Sequence, residues 1–432
     1  MTRPAPRRPA RAPSPSGPPS VARAVSRGGP GRALSHGRLE DPDKISLLTH
    51  TFINTTALQP PRGGNIVNVS ATHATRARRR SGSRRGMEFI DMLGAGGVGA
   101  EIKLGGDSGA PLWWAARRVR STTTSILVGA GALRLATLLL RKGADVDAAG
   151  TDADGNASTP LWWAARAVWI GAASGQEELE RGGQELELAT LLVKKHADVN
   201  AVGSYAGGYK CAPLWWATRA VRSGKAGGLE LATLLVKKGA DVNAVGRDGV
   251  GNGSAPLWLA ARAVHNGEAG GAELPKLLVK KGADVNAVGT EGGGKERPEC
   301  APLWWAARAV WRGEAGGLEM ATLLVKKGAD VSTVGTYWDG KKHSPLRWAA
   351  LAVSHGEADG LELAKILVKT GADVNTVGAD EDGIEGTPLR WAAAAVRASK
   401  AGAPKLARLL ISAGARLADS ERDEFQGIVD GV

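Results

Sequence analysis

The chain has 432 residues, more than the roughly 100 to 200 of a typical single domain, so we expect several domains or an array of repeats. Its formal net charge of +13 lies in residues 1–86, where 16 lysines and arginines stand against 3 acidic residues, and the remaining chain is neutral. An argument for binding nucleic acid or acidic membranes can therefore rest only on that N-terminal segment. No apolar run approaches the roughly 18 residues of a membrane span, and no apolar stretch follows the first arginines as in a secretory signal.

Residues 1–86 are the first predicted segment, a basic leader rich in proline, arginine and serine. This composition is typical of a disordered chain. The run TRARRRSGSRR, Thr75 to Arg85, is also typical of a nuclear-import signal, and the acid-poor start is typical of an organellar transit peptide. A further alternative is that translation begins at Met87.

Residues 87–110 are predicted to form half a repeat that caps the array, with a capping helix from Met87 to Leu93. GAGGVG, Gly94 to Gly99, matches a dinucleotide-binding fingerprint, but that motif needs a strand before it and a helix after it. The stretch that follows has adjacent glycines and is in register with the turns of the later units. We therefore predict no cofactor.

A Pro-Leu step recurs seven times and marks one repeated unit, and three of the six spacings are 43 residues. Leu, Ala, Ala and Val at Pro+1, Pro+4, Pro+5 and Pro+8 share one helical face behind a proline that fits a first helical turn. A second apolar segment such as LELATLLVKK, Leu229 to Lys238, ends in lysines and a glycine, which favour a helix end. The seven prolines, which define repeats 1 to 7, are Pro111, Pro160, Pro213, Pro256, Pro302, Pro345 and Pro388.

Two motifs recur in these units: TPLWWAARAV, Thr159 to Val168, and GADVNAVG, Gly239 to Gly246. They are similar to a Thr-Pro-Leu-His-x-Ala-Ala helix start and a Gly-Ala-Asp-Val-Asn turn, so the units resemble the ankyrin repeat family. The resemblance covers residues 111–418 and implies an all-α fold with β-turn or hairpin fingers, an α-solenoid of stacked helix-turn-helix repeats. It also implies a protein partner on a concave surface made by residues just after the Ala-Ala pair and by the turn tips.

The units depart from that family at the start of the first helix. The family's His is Trp or Arg in every copy, and its Thr is Ala in four of the seven. The Thr-to-His hydrogen bond of the family therefore cannot form, and we expect another interaction to fix the start of this helix. The units are also longer than the family's roughly 33 residues, with extra residues between the helices and in the turn.

Comparing the copies separates the two adjacent tryptophans of most units. The residue at Pro+3 is always large and apolar, which predicts packing between repeats. The residue at Pro+2 is Trp in the first five copies but Arg347 and Arg390 in the last two, so we expect this position to reach water. Wherever Pro+2 is Trp, Pro+6 is Arg, which predicts an i, i+4 contact with the guanidinium on the indole face.

The Trp-Arg pairs are the candidate partner-binding residues, since exposed Trp and Arg are enriched in interface hot spots. The alternative is that the pairs only stiffen the first helices. The variable turn tips add two aromatic candidates. The full set is Trp113, Arg117, Trp162, Arg166, Trp215, Arg219, Trp258, Arg262, Trp304, Arg308, Tyr337 and Trp338.

No constellation of His, Cys, Ser or acidic residues predicts catalysis or a metal site, and Cys211 and Cys300 are expected to be free thiols. Residues 419–432 are predicted to be an acidic C-terminal cap or tail. We expect a monomeric, non-catalytic scaffold for protein partners in the cytoplasm or nucleus, with organellar targeting as an alternative, and not a secreted protein. The alternative function is nucleic-acid or chromatin association through residues 62–85.

Overall fold

The computed structural model describes residues 66–68, 99–104, 106–118, 126–171, 178–205, 209–248, 251–268, 270–290, 299–336, 342–379 and 385–432. All but a few residues of the predicted leader, and the capping helix predicted at Met87 to Leu93, lie outside these ranges. Ile66–Asn68 is the described part of the leader, and it forms a strand paired in parallel with Glu101–Leu104. All described residues belong to one compact unit, residues 59–432.

Each repeat begins with a first helix whose first residue is the proline, as expected from the missing N–H of that residue. The alanines at Pro+4 are buried in every copy, which lets consecutive first helices pack closely. Pro+5 is also a buried small residue throughout, with Thr218 in place of Ala in repeat 3. The first helices are Pro111–Arg118, Pro160–Ile170, Pro213–Arg222, Pro256–His265, Pro302–Trp311, Pro345–His355 and Pro388–Arg397.

A second helix follows in each repeat and buries the predicted Leu and Ala stripe. The second residue after each of these helices has a positive φ. It is glycine in six repeats and His196, with a φ of 66°, in repeat 2. The paired lysines at these ends are exposed, where they complement the helix dipole. The second helices are Ile126–Arg141, Glu178–Lys194, Gly228–Lys237, Glu273–Lys280, Gly317–Lys326, Ala358–Lys369 and Ala403–Ser412.

An antiparallel hairpin precedes each first helix, which confirms the predicted fingers. Neighbouring hairpins join through Ser108 with Thr151 and through Lys210 with Arg247, giving one five-stranded and one four-stranded sheet. The hairpins pair Glu101–Leu104 with Asp107–Gly109, Gly150–Thr151 with Ala157–Ser158, Gly203–Tyr205 with Tyr209–Cys211, Gly246–Arg247 with Gly253–Ser254, Gly289–Thr290 with Glu299–Cys300, Gly335–Thr336 with Lys342–His343, and Gly378–Ala379 with Glu385–Gly386.

Asparagines in the turn after the second helix join consecutive repeats. Asn243 donates from Nδ2 to the Gly282 carbonyl at 3.2 Å and accepts at Oδ1 from the Asp284 N–H at 2.8 Å. Ser332 occupies this position in repeat 5, and in the described part of the chain it makes no such bonds to repeat 6. The same pair of bonds is made by Asn200, Asn286 and Asn375.

The C-terminal residues form a helix, Asp419–Asp430, which packs on the first helix of repeat 7. Phe425 is buried, and the buried Glu421 carboxylate accepts hydrogen bonds from the Thr387 N–H at 2.8 Å and the Thr387 hydroxyl at 2.9 Å. The other acidic residues of this helix are exposed. The last repeat is therefore covered by a helix whose outer face is polar. Among the described residues, no helix has the length and apolar character needed to cross a bilayer.

Candidate partner-binding site

The indole N–H at Pro+2 fixes each of the first five first helices to the hairpin that precedes the next repeat. Its acceptor always lies on the residue two positions before the next proline. Trp162 and Trp258 donate to the carbonyls of cysteines, each at 2.9 Å, and Trp215 donates to the Ser254 hydroxyl at 3.2 Å. Trp113 and Trp304 make equivalent bonds. This bond is the interaction expected to replace the Thr-to-His hydrogen bond, and it acts between repeats.

The prediction that the Pro+2 tryptophans reach water is wrong. The backbone of a hairpin glycine packs against each indole, and a Cβ on that glycine would come within 2.3 to 2.7 Å of the ring. The hairpin backbone therefore covers the ring, because only glycine permits so close an approach. The exposed fraction is 0 to 2% for Trp113, Trp162, Trp215, Trp258 and Trp304.

The prediction that an arginine at Pro+2 reaches water is also wrong for Arg347, whose side chain is 1% exposed. A Cβ on Gly378 would lie 2.5 Å from Arg347 Cδ, so the aliphatic stem of the arginine takes the space of the indole. Its guanidinium lies 5.0 Å from the centre of the Trp348 ring. Arg390, in the last repeat, is half-buried.

The predicted packing role of Pro+3 is confirmed. Trp216 lies edge to face with Trp162 of the preceding repeat, with ring centres 5.5 Å apart. Trp305 and Trp348 make the same contact with Trp258 and Trp304, at 5.7 and 5.5 Å. Within a repeat the two neighbouring indoles are also perpendicular, at about 5 Å. The tryptophans thus form an aromatic ladder along the first helices.

The arginines at Pro+6, called the arginine row below, lie on this ladder. Arg219 stands 4.9 Å from the ring centre of Trp215, which is the predicted i, i+4 contact. The same contact is made by Arg117, Arg262 and Arg308, at 5.0, 5.9 and 5.8 Å. Most of the row also contacts an indole of the next repeat. The row is Arg117, Arg166, Arg219, Arg262 and Arg308.

Repeats 2 and 3 add aromatic side chains that the comparison of copies did not single out for contact with arginine. Arg166 lies 4.3 Å from the Tyr205 ring and 5.3 Å from the Trp163 ring. Arg219 lies 4.6 Å from Trp169 and 5.7 Å from Tyr209. Tyr205 and Tyr209 face each other across one hairpin. Each of these two guanidiniums is therefore held between aromatic rings from different elements.

Charge compensation differs along the row. Arg117 forms an ion pair with Asp107 of the first hairpin. Within the described ranges, neither Arg166 nor Arg219 forms an ion pair. Burial lowers the pKa of the Arg166 guanidinium, and burial also lowers the pKa of Arg219. These two cations are partly removed from water without a bound carboxylate.

Comparison with known proteins assigns the unit. Residues 252–290, which hold the helices of repeat 4 and part of each adjoining hairpin, match the family model described as ankyrin repeat. This unit is an ankyrin repeat, and the other copies share its sequence pattern and its helix-hairpin fold. No curated protein matches the chain. Among solved structures, the crystal structure of EF0377, an ankyrin repeat protein, aligns with 61% of this chain and 97% of that chain at 19% identity and a TM-score of 0.35.

Ankyrin repeats 4 and 5 meet at a buried histidine that sequence comparison missed. His265 follows the arginine of its own helix by three residues, so it lies on the same side of that helix. Its Nε2 is 2.7 Å from Arg308 Nη1, which makes Nε2 the acceptor. Burial, with the neighbouring arginines, lowers the pKa of His265 to about 3. The imidazole is therefore neutral at physiological pH.

The remaining predicted site residues, Tyr337 and Trp338, lie outside the described residues. Trp169 and Trp311 occupy Pro+9 of the second and fifth ankyrin repeats, three residues after the arginine position, and that spacing is the signal that could have found them. Each packs on the Pro+3 tryptophan of the next repeat, with ring centres 4.9 and 5.1 Å apart.

The two cysteines are free and buried in their hairpins. Burial raises the pKa of Cys211 and of Cys300 to about 12, so both stay protonated thiols. Their carbonyls accept the tryptophan bonds, which is a structural role. Across the ranges that the structure describes, no three His, Cys, Asp or Glu side chains converge as metal ligands would.

Proposed function

We propose that the protein is a non-catalytic scaffold that binds a protein partner along the arginine row and the adjoining hairpins. Ankyrin repeats generally mediate protein-protein interaction. The observation that supports the choice of surface is the position of Arg166 and Arg219, because each guanidinium lies between aromatic rings and neither is in an ion pair within the described residues. Arginine held on rings loses little side-chain freedom on binding, and arginine is common among interface hot spots.

Because the Pro+2 tryptophans are buried, other aromatic groups would contact the partner. The indoles at Pro+2 lie under the hairpin glycines, so they act as the support of the row. The half-buried side chains beside the guanidiniums, Trp169, Tyr205 and Tyr209, are the aromatic groups available for contact. This arrangement combines the two interpretations of the Trp-Arg pairs, since the tryptophans stiffen the helices and the arginines bind.

Affinity capture with the full chain tests the proposal. The site variant carries Arg166→Gln and Arg219→Gln, and the control variant carries Lys237→Gln and Lys280→Gln at exposed second-helix ends. Partners identified by mass spectrometry with the unaltered chain should be retained by the control and lost from the site variant. Circular dichroism checks that both variants are folded. Equal recovery by both variants would place the partner elsewhere.

Nucleic-acid or chromatin association through residues 62–85 remains the alternative proposal, and it rests on the basic charge of that segment. Binding of this kind weakens steeply with salt because counterions are released. Deleting residues 62–85 should abolish salt-dependent retention on a double-stranded oligonucleotide. Retention that ignores salt or survives the deletion would remove this alternative.

A further inference from the structure

At each end of the array, one arginine that lies against an aromatic ring also pairs with a carboxylate. At the first repeat, Arg117 lies over Trp113 and pairs with the Asp107 carboxylate. At the last repeat, Arg397 lies 4.8 Å from the Phe425 ring, and its Nη1 is 2.9 Å from Glu424 Oε1. In both places the guanidinium lies against an aromatic ring and pairs with a carboxylate.

Arg166 and Arg219 repeat the ring contact between these ends, and among the described residues no carboxylate pairs with either of them. Asp248 acts on the charge of Arg219 without an ion pair between them, and the hairpin tyrosines supply rings and hydroxyls. Neighbouring cations add repulsion, from Arg117 at Arg166 and from Arg222 at Arg219. An anion that reached both guanidiniums would offset their lost hydration and this repulsion.

We infer that the arginine row binds an acidic segment of a partner protein in the extended polyproline II conformation, with carboxylates three residues apart facing Arg166 and Arg219. This inference rests on the proposed function and names the chemistry of its partner.

The spacing of the row favours this conformation. Packed helices stand about 8 to 10 Å apart, so arginines on consecutive first helices are separated by about that distance. A polyproline II helix has about three residues per turn and rises about 3.1 Å per residue, so every third side chain returns to the same face after about 9 Å. One acidic residue in three therefore matches one arginine per repeat.

Charge and ring burial argue against two other occupants. The leader of this chain is basic, so the row repels it. Single-stranded nucleic acid binds by stacking its bases on open aromatic faces, whereas the ladder indoles at Pro+2 and Pro+3 are covered by glycine backbone, by perpendicular rings and by the guanidiniums themselves. The rings of Trp169, Tyr205 and Tyr209 are half-buried, so binding of an oligonucleotide is measured alongside that of the peptide. Carboxylates need only the guanidinium edge.

Fluorescence anisotropy with the full chain tests the inference. The probe is a fluorescein-labelled peptide of repeated Pro-Pro-Glu triplets. The comparison probes are a Pro-Pro-Lys peptide, a peptide of the same composition with all its glutamates in one block, and a single-stranded oligonucleotide of equal charge. We expect the Pro-Pro-Glu peptide to bind best, and added salt should weaken its binding.

The variants locate the binding. Arg166→Gln with Arg219→Gln should weaken the Pro-Pro-Glu peptide about tenfold or more, whereas Lys237→Gln with Lys280→Gln should leave its affinity unchanged. Equal binding of the blocked peptide, tighter binding of the oligonucleotide, or no effect of the arginine substitutions would overturn the inference. If capture of protein partners still depends on Arg166 and Arg219 while the peptide does not bind, the inference of an acidic partner segment is wrong but the proposed function stands. If neither depends on them, the proposed function fails as well.

Discussion

At the scale of single residues, the close approach of glycine to indole decides where the tryptophans lie. Gly289 lies against the Trp258 ring, and the indole N–H donates to the carbonyl of Cys300, the residue paired with Gly289 in the same hairpin. Any side chain at the glycine must push the ring away, because a buried indole in a close-packed array has no space to move into. The glycine and the tryptophan therefore act as one unit.

Gly289→Ala is expected to lower the free energy of unfolding by about 1 to 3 kcal/mol, since its Cβ would lie 2.5 Å from the Trp258 ring. Gly253→Ala is the matched control on the neighbouring hairpin, where a Cβ meets nothing closer than 3.6 Å. Urea unfolding followed by circular dichroism measures both. Equal losses in the two variants would show that the ring contact is not what excludes a side chain.

His265 predicts a pH dependence of stability. Its folded pKa of about 3 lies below the unfolded value of about 6.5, so the unfolded chain binds the extra proton between these values. The contribution of His265 is therefore present above about pH 6.5 and is lost as pH falls toward 3, with a slope of up to about 1.4 kcal/mol per pH unit. Unfolding free energies measured against pH for the unaltered chain and for His265→Gln should diverge in this window. Parallel curves would contradict the buried neutral imidazole.

At the scale of elements, the sequence predicted both helices of each repeat because their signals are local, whereas the hairpin was predicted by the resemblance to the ankyrin repeat family. Proline at the helix start, the alanine pair, and glycine at the helix end each act on their own neighbours in the chain. The packing of Pro+3 between repeats was also predictable, because a large apolar residue in every copy is sufficient evidence for burial. The burial of Pro+2 was not, because it depends on a hairpin about 40 residues away, as between Trp258 and Cys300. Arg347 is buried at this position as well, because its long aliphatic stem packs against Gly378 in the place of the indole.

The second-helix ends provide a reciprocal test of backbone conformation. His196 holds a φ of 66° where Gly239 holds 90° in the next repeat, and a Cβ at Gly239 would meet nothing within 4 Å. His196→Gly should therefore raise stability by about 1 kcal/mol, and Gly239→His should lower it by about as much, because a left-handed residue with a Cβ is strained. Thermal unfolding of the two variants checks the signs. A loss of stability in His196→Gly would mean that the imidazole makes a stabilising contact.

At the scale of the whole molecule, two kinds of contact join consecutive repeats. The ring contacts of the aromatic ladder are interrupted at Leu259 of repeat 4 and Arg347 of repeat 6. The asparagine bonds follow repeats 2, 3, 4 and 6. In such an array stability is a sum of repeat terms and nearest-neighbour terms, so weakening one joint lowers cooperativity as well as stability. The joint after repeat 5 has Ser332 in place of asparagine, which makes it the joint to strengthen.

Asn243→Ala should lower the free energy of unfolding by about 1 to 2 kcal/mol, because it removes the bonds to Gly282 and Asp284. Ser332→Asn should raise it by about 0.5 to 1.5 kcal/mol by restoring such bonds to repeat 6. Urea unfolding should also become steeper in Ser332→Asn as repeats 5 and 6 couple. No change in either variant would show that the asparagines do not couple the repeats.

The arginine row depends on contacts within and between repeats. Hairpin glycines pack against the indoles, the indoles contact the guanidiniums, and the stacking of the repeats sets the spacing of the guanidiniums. Hydrogen-deuterium exchange of the full chain with the Pro-Pro-Glu peptide tests this directly. We expect slower exchange in the hairpin strands Gly203–Tyr205 and Tyr209–Cys211, beside Arg166 and Arg219, and unchanged exchange at the second-helix end around Lys237 and Lys238. Slower exchange at the second-helix end, with the hairpin unaffected, would contradict it.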